Sequence, residues 1–274
     1  MPKKFSVHEI NREENETIFI TIVADEIIHY VSTVKGSGVV KIERTGNAAK
    51  TYTKTGDIYL ISSEILEEFC PNGHLETEEF ELDNTKLPIP GFLRQITCTS
   101  FKSAFLGDQR GREWLRLVNG WIEVLKMTEI GEIEGIGEME QILRVKRELV
   151  ICGSDISDEQ LQRIGDYGTM VLDSFRITEK GVKEKLEKWL ELPERHIFEI
   201  RFKPISPDFV KNWIFKDLKK AEIKWKQYFE FKMKYTQQSG KTENFNGYYF
   251  VAGEFNLIKI MSPTIWKPNS KIPT

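Results

Sequence analysis

Residues 148–203 read ELVICGSDISDEQLQRIGDYGTMVLDSFRITEKGVKEKLEKWLELPERHIFEIRFK, and the order of patterns in this stretch sets the fold class. Glu148 to Cys152 is a short apolar strand, after which Gly153-Ser154-Asp155 turns the chain. Ser157 stands three residues before Gln160, the spacing of a capping box, and opens a helix with Leu161 and Ile164 facing inward. Gly165 and Gly168 bracket its end. Thr169 to Asp173 is a second strand. Thr178 caps a second helix with the stripe Val182, Leu186, Trp189 and Leu190, and Pro193 closes it. His196 to Phe202 alternates as a third strand. Strand–helix–strand–helix–strand predicts parallel pairing with right-handed crossovers.

Residues 1–90 read as a β-rich N-terminal region. Residues 17–31 predict a strand or two, Gly36-Ser37-Gly38 a turn, and Val39 to Arg44 and Thr51 to Thr53 further strands. Gly56-Asp57 precedes another strand, Ile58 to Ile61, and Ser62 to Phe69 a short helix ended by Pro71-Asn72-Gly73. Pro88-Ile89-Pro90-Gly91 is a stiff connector. Residues 91–147 are a helical connector. Its main helix, 109–127, carries Trp114, Leu117, Val118, Trp121 and Leu125 on one stripe. Three glycines between Ile130 and Glu138 predict a loop there.

After the βαβ unit at 148–203, residues 204–262 combine a basic aromatic helix, Asp208 to Ala221, with antiparallel strands. Phe229, Phe231, Met233 and Tyr235 alternate with Glu230, Lys232 and Lys234, the period of a strand. Asn246-Gly247 signals a hairpin turn before Tyr248 to Ala252 and Leu257 to Met261. Residues 263–274 are an extended tail. The whole is α+β (mixed α/β).

The chain is 40% hydrophobic and 30% charged, which excludes a disordered or fibrous protein. Three scattered cysteines predict no disulfide framework and fit a reducing compartment. The apolar stretch Ile18 to Val31 is interrupted by Asp25, Glu26 and His29, so it predicts no membrane span. With no export signal visible, the expected location is cytoplasmic.

The net charge of −3 conceals an asymmetry. The segment 201–274 holds 14 Lys/Arg against 6 Asp/Glu, so the segment 1–200 sums to −11, and the C-terminal segment also holds 15 of the 31 aromatics. Such a difference predicts an acidic partner for the basic part, either nucleic acid or an acidic protein surface. The candidate contact residues are Lys216, Lys219, Lys220, Lys224, Lys226, Lys232 and Lys234, interleaved with Trp213 and Trp225. Lysines neutralise phosphates, and exposed aromatics stack on unpaired bases. The competing structural expectation is that alternation at 229–235 turns the aromatics to a core and leaves the lysines merely solvated.

Pro207-Asp208, followed further along the chain by Glu230-Phe231-Lys232, has the form of a PD…ExK nuclease motif. There Asp208 and Glu230 would hold Mg²⁺ and Lys232 would assist the attacking water. Neither GxGxxG, GxxxxGK[ST] nor GxSxG occurs, and His8, His29, His74 and His196 stand isolated. Asp155 and Asp173, at the carboxyl ends of βαβ strands, are turn residues that could also hold a ligand. Three readings stay open. The first is a non-catalytic subunit of a nucleic-acid-handling complex, binding nucleic acid or a protein partner in a hetero-complex; one version supplies missing domains to an effector nuclease. The second is a metal-dependent nuclease using Asp208, Glu230 and Lys232. The third is a protein-only inhibitor or scaffold. Only the nuclease needs a cofactor, Mg²⁺.

Overall fold

The computed structural model describes residues 2–12, 17–46, 48–106, 110–203, 218–223, 226–252 and 255–262. It is mixed α/β, of the α+β class, and divides into two units, Met1–Gly131 and Glu132–Thr274.

In the first unit, β1 (Lys4–Arg12), β2 (Thr17–Ala24), β3 (Ile27–Val34), β4 (Val39–Arg44) and β5 (Lys50–Thr55) form an antiparallel meander. Period-two alternation sends Phe5, Val7, Ile20, Ile22, Val31, Val40 and Ile42 into the core. Helix α1 (Ile58–Glu67) packs on β2 and β3. It starts at Ile58, where a strand was expected, because Asp57 caps it: the carboxylate accepts from the amides of Tyr59 (2.9 Å) and Leu60 (3.1 Å). Ile58, Ile61 and Ile65 then fall on one buried stripe. The Tyr59 hydroxyl donates to Glu9 (3.0 Å), which also accepts from the Lys86 amide (2.5 Å), so one buried carboxylate ties β1, α1 and the loop after residue 83.

The rest of the first unit is a parallel ladder that the sequence patterns did not reveal. β7 (Glu79–Asp83) pairs with β1 and with β9 (Ser100–Leu106), and β9 pairs with β10 (Ile122–Ile133). The strand order is β10-β9-β7-β1-β2-β3-β4-β5. A short strand precedes each of the first two rungs, β6 (His74–Glu76) and β8 (Gln95–Thr97), and Val118 continues that layer by bridging to Ile96. Phe80 pairs with Phe101, and Leu75 with Ile96, the same distance apart along the chain in both cases. The chain is therefore stacking similar rungs, each burying its apolar row on the next. Phe80 sits among Phe5, Phe101 and Trp114. The Pro88–Gly91 connector runs between two strands of this one ladder.

The expected helix at 109–127 is corrected here. Helix α2 covers only Arg110–Leu115, and β10 takes over at Ile122. Asn119 accepts from the Gly120 amide (2.9 Å), Gly120 has φ +87°, and the helix cannot cross that turn. Trp114, Val118 and Leu125 are buried as expected, but Trp121 is 63% exposed. The expected loop from Ile130 is also corrected: β10 continues to Ile133, and a 3-10 turn follows at Ile136–Glu138.

The second unit begins with α3 (Glu140–Leu143) and then realises the pattern of residues 148–203. β11 (Val145–Ser154), α4 (Asp158–Arg163), β12 (Thr169–Ser174), α5 (Glu179–Leu190) and β13 (Ile197–Phe202) alternate, with β11, β12 and β13 parallel. The capping box is present: the Ser157 hydroxyl accepts from the Gln160 amide (3.3 Å), and the Gln160 side chain accepts from the Ser157 amide (2.9 Å). Thr178 makes no such cap; instead its amide and hydroxyl donate to Asp158. Leu161, Val182, Leu186 and Trp189 meet Met170, Leu172, Phe198 and Ile200 in the core.

Four antiparallel strands complete the sheet: β14 (Leu218–Ile223), β15 (Lys226–Thr236), β16 (Thr242–Ala252) and β17 (Phe255–Met261), with β17 beside β13. Two expectations are corrected. Residues 218–221 belong to a strand, not to the expected helix 208–221, because they pair with Phe231 to Tyr228 of β15. Asn246-Gly247 is no turn; it lies within β16, and Gly247 pairs with Phe231 and Ile260. The hairpin turns at Gln237–Lys241, where Gly240 has φ +84°.

Arg195 binds this hairpin to α5. The guanidinium donates to the Leu190 carbonyl at the helix end, pairs with Glu243 of β16 (2.6 Å) and lies over the Phe245 ring (5.1 Å). Gln237 donates to the carbonyls of Leu190 (3.0 Å) and Leu192 (3.1 Å). Arg195→Ala, which strips a buried cation from its partners, is expected to cost about 3 kcal/mol in urea denaturation. Lys180→Ala removes only an exposed helix-surface pair with Glu184 and is expected to change stability by less than about 0.5 kcal/mol.

Candidate binding face

The site follows from which side of the second unit's sheet is covered. Helices α4 and α5 pack on each other and on the side bearing Met170, Leu172, Phe198, Ile200, Ile258 and Ile260. Because successive strand residues point to opposite faces, the alternate residues form the other face. Among the described residues these are Glu148, Val150, Thr169, Val171, Asp173, Ile197, Glu199, Tyr248, Leu257, Lys259 and Met261, all half-buried, with Arg201 exposed.

Register aligns them across strands. One row runs Val150, Val171, Glu199, Lys259, Tyr248, Glu230, Lys219, and the next contains Asp173, Arg201, Leu257, Phe250, Tyr228 and Ala221. Cations and carboxylates meet along the rows: Lys259 bonds Glu199 at 2.6 Å and Arg201 bonds Asp173 at 3.0 Å. Both pairs are partly solvated, so each contributes at most about 1 kcal/mol. Burial pushes the Asp173 carboxyl above its ordinary value, opposed by Arg201. Burial also raises the Cys152 thiol, helped by Asp173 and Glu199, and the Tyr248 phenol.

The residues singled out from sequence divide into three groups. Asp208, Trp213, Lys216, Lys224 and Trp225 lie outside the described residues. Lys219 and Lys220 fall on alternate rows of β14. Lys219 pairs with Glu230, whereas Lys220 pairs with Phe229, whose row leads to buried Tyr249 and Ile258. Lys226 pairs with Ile223, Lys232 with Asn246 and Lys234 with Asn244; Lys234 is exposed. Phe229, Phe231 and Met233 are in register with Tyr249, Gly247 and Phe245, two of which are core residues. By register, Lys219, Lys226, Lys232 and Lys234 share one alternation of β14 and β15, and Lys220 falls on the other.

Glu230 and Lys232 are two apart on β15. Among the described residues no three His, Cys, Asp or Glu side chains converge as metal ligands. Ser154 donates to the Asp173 carbonyl, Ser174 to the Ile156 carbonyl, and Asp155 accepts from the Gly135 amide. The strand ends of the βαβ unit are therefore occupied by turn-forming bonds. On the helical side, an open groove of about 660 Å³ runs past Glu184, Glu187, Glu191 and Tyr235. Its carboxylates already serve Lys180, Lys183 and the Tyr235 hydroxyl, the last pushed up to about 12 chiefly by its bond to Glu191.

Comparison with protein-family models, with curated proteins and with solved structures finds no match for this chain. The site therefore rests on its own geometry.

Sequence reasoning missed Glu199, Arg201 and Lys259, the charged members of the face. Their signal was the polar half of the strand alternation at Ile197–Phe202 and Leu257–Met261. Asp173 provides a test of the face's electrostatics. Its folded value is raised, so its ionisation penalises the native state above that value and the penalty vanishes as the group protonates. Asp173→Asn is expected to be at least as stable as wild type at pH 7, with its advantage shrinking on acidification through the carboxylate range, as read by thermal unfolding.

Proposed function

We propose that this protein is a non-catalytic binding subunit that docks a protein partner across the open face of the β11–β17 sheet. The observation carrying this reading is charge balance. Two cations of the face, Lys259 and Arg201, are matched by Glu199 and Asp173 on neighbouring strands, and half-exposed Val150, Val171, Ile197, Tyr248, Leu257 and Met261 lie between them. Mixed charge over an apolar and aromatic ground suits a protein surface. A phosphate backbone favours a run of cations free of carboxylates.

A nucleic-acid contact is the second reading, favoured by one observation. Lys232 and Lys234 stand in register with Asn246 and Asn244 rather than with carboxylates. In either case the protein acts as an accessory part of a larger assembly that handles nucleic acid, a role supported by the charge surplus of residues 201–274.

Two measurements separate the readings. Tagged wild-type protein is expected to isolate a stoichiometric complex that Arg201→Glu/Lys259→Glu does not, while single- and double-stranded DNA and RNA show no salt-dependent anisotropy change at micromolar protein. Binding of labelled nucleic acid that falls with salt and with Lys232→Glu/Lys234→Glu would replace the protein-docking reading with the nucleic-acid one. Mg²⁺-dependent cleavage lost in Glu230→Ala would replace both with the nuclease.

A further inference from the structure

His29, on β3, lies beneath the C-terminal end of α1. The residue is 1% exposed, and neither ring nitrogen has a hydrogen-bond partner among the described residues. Its ring meets Phe69 edge-on, with centroids 6.0 Å apart, and Phe69 also packs against Phe5 at 5.8 Å. In register with His29 stand Ile22 on β2 and Arg44 on β4, with Val7 of β1 beyond Ile22. The imidazole is thus used as an apolar wedge, and only its neutral form can fill that role.

The charges around it are few. From the end of α1, Glu68 favours a proton on His29; from β4 and β5, Arg44 and Lys50 oppose one. β1 and β2 present only Val7 and Ile22 in this row. Arg44 and Glu68 already bridge each other at 3.6 Å. Among the described groups, the one carboxylate that could receive an imidazolium is therefore shared with a cation on the sheet.

We propose that His29 is an acid-sensitive latch: proton uptake releases the end of α1 and the Pro71–Gly73 turn from the meander while the parallel ladder of the same unit stays folded. An imidazolium at this position has no acceptor of its own and competes with Arg44 for Glu68. Lifting Phe69 admits water to the ring and relieves both problems without disturbing Phe80, Phe101 or Trp114.

The sign follows from burial, which holds His29 below its ordinary value of 6.5. Above 6.5 neither the closed nor the open end carries the proton, so pH has no effect. As pH falls through 6.5 the open end takes a proton that the closed end refuses, and the open population grows by up to about tenfold per pH unit. The growth stops below the depressed value of the closed form.

Hydrogen exchange read by mass spectrometry on the full chain, corrected for intrinsic rates, tests this between pH 7.5 and 5. Wild type is expected to show an acid-induced rise, of about tenfold by pH 5.5, in peptides spanning 62–73 and none in peptides spanning 98–106. His29→Phe is expected to abolish the rise. Glu68→Gln, which removes the charge favouring the proton in the closed form, is expected to leave the onset near 6.5 and to make the rise at pH 5 at least as large as in wild type. An unchanged acid response in His29→Phe, no response in wild type, or both sets of peptides opening together would overturn the latch. Should His29→Phe not fold, the contrast between the two sets of peptides decides the question, and a smaller rise in Glu68→Gln than in wild type would overturn the latch.

Discussion

Helices α4 and α5 pack on one another, and that contact governs what the second unit can present. Three parallel strands in sequential order, joined by two crossovers, place both helices on the same side. No reversal of strand order opens a crevice at the strand ends, the usual ligand position in sheets covered on both faces. The helical layer also secures itself. The Lys185 amine, held below its ordinary value by burial, donates to the Ile164 carbonyl at the end of α4 and to Asp166. The Trp189 indole donates to the Gly168 carbonyl. With one face covered in this way, the alternate strand residues form the other face.

The first unit obeys the same constraint with different parts. Helix α1 packs on its meander, and α2 packs on β9 of its ladder. Alternate residues of β1 to β5 remain outward, and Ile10, Tyr30, Val34 and Val39 are exposed there. Inside, the aromatic chain Phe69, Phe5, Phe80, Phe101 joins the meander to the ladder. His29 touches only the first link. That is why a charge on His29 loosens an end of the unit and leaves the ladder intact.

Charge in this protein is more local than composition suggests. The basic surplus of residues 201–274 reads from sequence as one acidic-partner surface. Strand register sets Arg201 and Lys259 against carboxylates contributed by β12 and β13 and separates Lys220 from the alternation that Lys219, Lys226, Lys232 and Lys234 share. A lysine's neighbours across a sheet lie on other strands, so sequence proximity says little about which cations act together.

Where the information was local, the sequence alone determined the structure. The Ser157–Gln160 box needs only residues within one helical turn, and the strands and helices of residues 148–203 repeat a period that neighbours in the chain define. The alternation at 229–235 likewise announced a strand. Tertiary structure decided the rest. Leu117 to Leu125 has helical spacing, yet β9 offers a parallel backbone partner to residues from Val124 onward, and the turn at Gly120 frees the chain to take it. Residues 218–221 and Gly247 are strand because β15 hydrogen-bonds them. The stacked rungs of the ladder, the open face and the enclosure of His29 arise from strands brought together over long sequence separations. Pairing satisfies backbone groups that local propensity leaves open, and it is that long-range satisfaction, not the residue's own preference, that selects the conformation.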